Sequence, residues 1–486
     1  MKWARAWACL LLYVSSRAVS AGDPGDLSVA PPSRLDLDGG GTEVLACPPV
    51  SAIRLTLNDV LRRGLCWSPK TRGAWADVEQ KAAELGLSRA AYEPSLSASF
   101  ARSRSHRVIE DAFAPMEESN QVQYEINPGA QLNWTLWDFG SRRAHVHSAE
   151  EMLIAARAAH DQQIQDTLSE LAHDYFAAVE DQAVLAADQE SESVARGSLS
   201  IVDGRFHGGN ASLSEIFQTR TALAHATAKR IASDGELHTA RGALTLALGL
   251  SPDLAPTLED DAEHIPEAAQ PGPVAALLRR ALASSPKVIA ARADLDAARY
   301  DIDSAAAANL PVATLQGLLS TRRDQYTSGS SFSASDIIGN SSMRNSRVSI
   351  NISVPIFDGS YHGKLLEARA KGRSRASELE TAERTVTLAV WNNYGEMQTA
   401  AATAAAAGEL IAAATLSLEA AQQLYKQGVG PLADVLTAQT NLASARQEKI
   451  HAVSKWRTSR WALAASVGSL TATSVDADGS LNAVEK

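Results

Sequence analysis

Two kinds of hydrophobic period alternate along this chain, and they come round twice. After Pro94, the residues Leu96, Ala98 and Phe100 alternate with Ser95, Ser97 and Ser99. Beyond a polar loop, Ala130, Leu132, Trp134 and Leu136 alternate with Gln131, Asn133 and Thr135. A period of two with one apolar and one polar face predicts β-strands. The pattern returns after Pro311, where Val348, Ile350, Ile352 and Val354 alternate with Ser349, Asn351 and Ser353. Each strand reads as ~9–10 residues, the length that crosses an outer membrane when tilted. The hairpin segments at about 105–128 and 322–346 read as outward-facing loops.

Around the strands the period lengthens. Helical stretches at about 71–92 and 288–309 precede each pair, and Gly140 or Gly359 ends it. From Ser141 to Asp203 there is no proline and only Gly197 interrupts, room for ~95 Å of helix at 1.5 Å per residue. Within it Ile164, Leu168, Leu171, Tyr175 and Ala178 follow a 4-3-4-3 spacing, the mark of a coiled-coil seam. Glycine-bearing turns (Gly204 to Ala211 and Gln427 to Pro431) reverse the chain, and a second helix returns to Gly249 or Gly468.

The two halves are copies. Residues 205–249 align without gaps on 424–468 and agree at twelve of 45 positions, including Gly209/Gly428, Leu213/Leu432, Arg241/Arg460 and Gly249/Gly468. Composition alone would give roughly four. The chain therefore divides into a signal peptide (1–21), an N-terminal extended segment (22–50), a first repeat (51–250), a Pro-rich acidic linker (251–273), a second repeat (274–469) and a tail (470–486). The signal rests on Lys2 and Arg5, the apolar run Ala6 to Val14, and the small residues Val19-Ser20-Ala21.

Composition narrows the function. Of 486 residues 45% are hydrophobic but only 5% aromatic, which favours closely packed helices rich in alanine. The net charge is -11 and the 45 Lys and Arg are scattered, so the footprint of a nucleic-acid binder is missing. No apolar run of ~18 residues follows the N-terminus, which argues against a membrane-spanning helix; Ala400 to Ala407 reads as tight helix packing. Cys9 lies in the signal, leaving Cys47 and Cys66 as a pair. In an exported chain such a pair suits a disulfide worth ~3 kcal/mol. No metal cluster is evident: His145 and His147, two apart on a helix, point to different faces. Hydrolase, metalloprotease and nucleotide-binding motifs are absent, so no enzyme and no cofactor are implied and energy must come from a partner.

Four amphipathic strands cannot close a barrel, and open edges are not tolerated in lipid. Several protomers must share one barrel, and the helices then form a second tube, giving a conduit. The strand entries at Pro94 and Pro311, the exits Trp137-Asp138-Phe139-Gly140 and Ile356-Phe357-Asp358-Gly359, and both helical turns resemble the TolC family of outer membrane factors over roughly 51–470. The resemblance implies a mainly α fold: a tandem duplicated unit with long coiled-coil hairpins forming an α-helical barrel, and four strands per protomer contributing to a trimeric outer membrane β-barrel. It also implies a homotrimer in the outer membrane of a Gram-negative bacterium, with a large periplasmic part, a periplasmic adaptor (membrane fusion) protein and an inner membrane ABC transporter as partners, and outer membrane lipid around the barrel.

Cys47 with Leu65-Cys66-Trp67-Ser68-Pro69 resembles the subgroup serving type I secretion, which implies export of a protein toxin of the RTX adenylate cyclase–haemolysin kind. By the same resemblance Asp434, Glu215 and Tyr425 belong to a constriction or gate, and Gly209, Gly428 and Val429 to tips that dock the adaptor. Plainer readings stand beside these. The glycines suit a turn needing positive φ, and both acids suit the first turn of a helix, Ser212 with Glu215 as a capping box. Thr437 and Gly430 depart from the family's usual acid and arginine. Trp134, Trp137, Phe100, Tyr92, Phe357 and Tyr361 suit an interfacial aromatic belt. Small-molecule efflux by the same duct, and a periplasmic coiled-coil scaffold, are the alternatives.

Overall fold

A computed structural model describes residues 54–110, 118–251, 256–259, 272–330, 337–468 and 470. The signal region, Cys9, Cys47, most of the linker and the tail lie outside them. The described elements run β1 (Arg54–Leu55), α1 (Leu57–Trp67), α2 (Pro69–Ala90), β2 (Ser95–Glu110), β3 (Glu118–Trp137), α3 (Ser141–His207) and α4 (Leu213–Ala247). After β4 (Thr257–Leu258) the series repeats as α5 (Val274–Ser284), α6 (Pro286–Ala307), β5 (Val312–Ser330), β6 (Ile337–Ser353), α7 (Tyr361–Gln427) and α8 (Leu432–Ser466). Corresponding helices have equal lengths of 11, 22, 67 and 35 residues. The duplication is thus preserved turn by turn.

Local chemistry sets the element ends. Pro69 and Pro286 open α2 and α6, where a missing N–H and a fixed φ cost nothing. Thr56 and Asp59 form a reciprocal cap on α1, with Asp59 N–H donating to Thr56 Oγ1 at 3.3 Å and Thr56 N–H to Asp59 Oδ2 at 3.1 Å. An aspartate turns each strand pair into its long helix. Asp138 accepts from the backbone and Nε of Arg142, both at 2.9 Å, and Asp358 accepts from Ser360 N–H at 2.8 Å.

The described residues form two compact units. The sheet-bearing unit comprises Gln80–Ile154 and Ala293–Ser377. Its four strands are antiparallel in the order β2-β3-β5-β6, with β2 and β6 at the edges. The strands are 16 to 20 residues long, which corrects two expectations. They are longer than ~9–10 residues, and much of 105–128 and 322–346 is hydrogen-bonded strand instead of loop. Polar side chains misled the reading: in water a ladder of backbone bonds continues whatever its side chains, so only the apolar stretch was legible as strand. Ile356 and Phe357, at the exit from β6, are 97% and 91% exposed within the chain.

The helical unit comprises the described residues within Ala155–Arg292 and Glu378–Lys486, with the described segment ending at Glu79. The coiled-coil seam is where its spacing put it: Leu168, Leu171, Tyr175 and Ala178 are buried, with Ile164 packed against them, in a cluster that includes Leu61, Leu65, Leu244 and Trp461. β1 and β4 pair in parallel, and Leu258 at the start of the linker region joins this cluster. Contrary to the sequence expectation, α7 holds an 18-residue window with a mean hydropathy of 1.4, enough by length and composition for a membrane span. Alanine raises that average without supplying bulk. Ala400, Ala404 and Ala407 of α7 are buried, Ala400 beside Trp456 and Val390, Ala404 beside Val453.

Cys66 is disulfide-bonded, and the proposed partner Cys47 lies outside the described residues. Next to it, Trp67 packs flat on Gly249, which has a φ of 66°. A Cβ at Gly249 would sit 2.9 Å from the indole. Gly249→Ala is therefore expected to lower stability by about 2 kcal/mol, because left-handed strain and overpacking add. Gly242→Ala, in the open interior of α4, should change it by less than about 1 kcal/mol. Thermal unfolding of the purified variants checks both.

Candidate functional site

The turn between α3 and α4 and the turn between α7 and α8 lie together in the helical unit, where four helices meet. Gly209 and Gly428 have φ of 74° and 80°, which only glycine adopts without strain. Gly430 is also required by space, since a Cβ there would lie 2.9 Å from the Leu424 Cβ. That explains why the arginine expected at this position is missing: the turn has no room for a side chain.

Tyr425, at the end of α7, is buried among Val202, Ile216, Leu418 and Val435. Its hydroxyl donates to Glu215 Oε1 at 3.4 Å. Glu215 in turn accepts from Ser212 N–H at 2.6 Å and Ser212 Oγ at 3.1 Å, and its own N–H donates to Ser212 Oγ at 3.3 Å. The capping-box reading and the network reading therefore hold at once. Arg205 completes the group from α3. Its guanidinium lies 4.5 Å from the Tyr425 ring centroid, donates through Nη1 to the Tyr425 carbonyl, and donates through Nη2 to the Asn210 carbonyl at 3.3 Å. One cation thus ties the end of α7 to the turn after α3.

The electrostatics follow. The Ser212 backbone N–H is the largest influence on Glu215; the Ser212 hydroxyl, Tyr425 and Arg205 add to it and burial opposes it, and the carboxyl is held below its usual range. Burial, then the Glu215 charge, pushes the Tyr425 phenol up, so it remains a proton donor at neutral pH. Asp434 does not join the network. It lies in the first turn of α8, exposed, with no ion pair among the described residues. Val429 is 73% exposed at the second turn, and Phe206, Leu213 and Phe217 are exposed at the first.

Arg205 is the residue that sequence reasoning passed over. Its signal was an asymmetry between the copies: Arg205 aligns with Leu424, and Phe206 with Tyr425. Behind the tips a buried polar layer joins three helices. Asp188 of α3, 2% exposed, accepts from Ser233 Oγ of α4 at 2.7 Å and from Gln447 Nε2 of α8 at 3.1 Å. Lys229 donates to Gln447 Oε1 at 2.7 Å. Glu192, one turn on, accepts from Thr227 Oγ1 at 3.0 Å and pairs with Arg230 at 2.9 Å. Such layers fix the register of helices that apolar seams alone would let slide.

His145 and His147 part company as expected of neighbours two apart. His145 Nε2 meets Ser304 Oγ at 2.9 Å, and His147 Nδ1 meets Glu150 at 3.0 Å. Among the described residues no group of three His, Cys, Asp or Glu is placed to hold a metal. In the sheet-bearing unit Trp134, Trp137, Phe100 and Tyr92 are exposed on the chain's surface, with Trp134 Nε1 donating to the Tyr92 carbonyl at 2.9 Å.

The duplicated series of helices and strands is matched by known proteins. The family profile described as Outer membrane efflux protein matches residues 60–250 and 277–469. CyaE of Bordetella pertussis is 29% identical over 438 residues, 89% of this chain and 88% of that protein. The outer membrane efflux protein BepC of Brucella suis is 22% identical over 426 residues, 87% of each. The solved structure of CusC, at 20% identity, covers 88% of this chain and 95% of its own with a TM-score of 0.73. Proteins of this kind are transport ducts and not enzymes; they form homotrimers and work with adaptors and inner membrane transporters. The chain belongs to the outer membrane efflux protein family, the TolC-like channels of the Gram-negative outer membrane.

Proposed function

We propose that this channel is the exit duct of a type I secretion system, a homotrimer that passes a protein toxin of the RTX adenylate cyclase–haemolysin kind across the periplasm and outer membrane. An inner membrane ABC transporter supplies the energy and a periplasmic adaptor docks at the exposed tips around Gly209, Gly428 and Val429. Support for the protein cargo comes from the segment Leu65-Cys66-Trp67-Ser68-Pro69, with its bonded Cys66, and from the likeness to CyaE along nearly the whole chain. The name of BepC as an efflux protein favours the second reading, a small-molecule efflux duct.

The observation that carries the gate is the closed group Arg205, Tyr425 and Glu215. It holds the α7 end against the α3–α4 turn, so opening must break an arginine–carbonyl bond, a cation–π contact and a phenol–carboxylate bond together. Asp434, free of these ties and repeated by threefold symmetry, forms a ring of negative charge that draws cations through the constriction.

These roles have separable outcomes. In planar bilayers, Arg205→Ala and Tyr425→Phe should each shift the opening equilibrium about tenfold toward open, the effect of losing one charge-assisted or buried hydrogen bond. Because the Glu215 pKa is lowered in the closed state, its contribution is full above the ordinary carboxylate pKa of about 4.3 and is lost as pH falls through the lower closed-state value. Acidification should therefore open the wild type, while Glu215→Gln, already lacking that contribution, should open at neutral pH and respond little to acid. Asp434→Asn should reduce cation selectivity without changing the opening frequency; unchanged selectivity would leave Asp434 a helix-end charge. Deleting the gene should strand a toxin inside the cell while antibiotic tolerance stays as it was. The reverse pattern supports efflux.

A further inference from the structure

Sheet register sorts the charged residues of the four long strands onto two faces. Leu96, Ala98 and Phe100 of β2 pair with Leu132, Ala130 and Pro128 of β3, so the even residues of both strands share the apolar, lipid-facing side. Ile126 pairs with Arg323, and Thr321 with Arg344, which puts the odd residues of β5 and the even residues of β6 on that side too. Immediately beyond Phe100, at the end of the apolar stretch away from the helices, the same face carries Arg102, Arg104, Arg323 and Arg344. No aspartate or glutamate stands on it between Phe100 and Arg104 or in the paired rows.

The acids of this region are on the opposite face, already neutralised. Arg322 pairs with Asp324 at 2.9 Å and with Glu125 at 3.3 Å, and Gln123 donates to Asp324 at 3.2 Å. Its neighbour Arg323 has no such partner among the described residues, nor have Arg102 and Arg344. Arg104 lies over the ring of Tyr124 at 5.5 Å. With strands about 5 Å apart and same-face residues about 7 Å apart, neighbouring stems among the four rise roughly 7–10 Å from one another, and the outermost pair, Arg104 and Arg344, stands roughly 20 Å apart. Ile126 stands between Arg102 and Arg323, and Tyr124 beside Arg104, so apolar and aromatic surface separates the cations.

We propose that these four arginines form a binding site for a phosphorylated glycolipid headgroup of the outer leaflet, one bearing more than one phosphate. The position is the boundary between acyl chains and water. The charge is uncompensated and of one sign, and guanidinium forks match phosphate oxygens in pairs. The spacing spans two phosphates across a disaccharide, and the Tyr124 ring offers a face for the sugar. A phospholipid with a single phosphate occupies one or two of the four positions and leaves the others unpaired. The site gives the barrel a grip on the outer leaflet beyond the general affinity of an apolar band for lipid.

The test titrates diphosphorylated lipid A onto the purified full-length protein in phosphatidylcholine nanodiscs, read by native mass spectrometry, with phosphatidylglycerol and inorganic pyrophosphate as separate arms. Wild type should hold lipid A more tightly than phosphatidylglycerol. Each substitution among Arg102→Gln, Arg104→Gln, Arg323→Gln and Arg344→Gln should weaken it about fivefold, and the fourfold variant should lose the preference. Arg347→Gln removes the same charge from the opposite face and should leave binding unchanged. The proposal is overturned if phosphatidylglycerol binds as well as lipid A, if pyrophosphate alone competes at equal concentration, if Arg347→Gln weakens binding equally, or if the four outward variants retain it. Should the fourfold variant not assemble, the single variants Arg102→Gln and Arg323→Gln decide by the same criteria.

Discussion

Every backbone N–H and C=O that enters lipid must find a partner, because an unpaired one costs several kcal/mol with no water to relieve it. In this chain β3 and β5 satisfy both neighbours, but among the described residues the sheet stops at β2 and β6, whose outer edges have no partner strand. That single deficit dictates the rest. The edges must be closed by further copies, so the barrel is a property of the assembly. Residues that look wastefully exposed in one chain, such as Ile356 and Phe357, are then faces waiting for lipid or for a neighbour. The work of such a chain is to be a wall.

Duplication supplies the wall, and departures from it supply an asymmetric contact between the two turns. The two copies agree in helix length and in the glycines at their turns, yet the tip depends on positions where they disagree. Arg205 has no counterpart in Leu424, and Tyr425 gains a hydroxyl that Phe206 lacks. A perfectly repeated protein would present two equivalent hairpins, with no reason for one to be held by the other. Arg205 reaching the Tyr425 carbonyl and ring makes one hairpin the holder and the other the held.

What could be read from the sequence was what depends on local period and local caps. The seam Leu168, Leu171, Tyr175, Ala178 buries as its spacing required, and Ser212 with Glu215 caps α4 as the motif required. Tyr425 and Glu215 do meet, though Asp434, grouped with them by resemblance, stays apart. What could not be read was anything set by pairing at a distance. The full length of β2, β3, β5 and β6 is decided by backbone partners that can lie far apart in the chain, as Glu125 and Asp324 do, while their side chains look like loop. The reach of Arg205 across 220 positions leaves no mark in its neighbourhood. Ala400, Ala404 and Ala407 of α7, read as tight helix packing, are buried, although the same helix is long and apolar enough for a membrane span.

The matched lengths of α3 and α7, 67 residues each, and of α4 and α8, 35 each, restrict how such a protein can evolve. Inserting one residue in a single helix lifts its tip by 1.5 Å and turns it by 100° relative to its twin, which would take Arg205 off Tyr425 and Asp188 off Ser233. Such a helix can lengthen only if its three companions lengthen in step, and only by amounts that bring the seam back to its starting face. Duct length is therefore inherited in whole coiled-coil repeats. A lineage facing a wider periplasm must acquire four coordinated insertions, or else lengthen the partner that meets the tips.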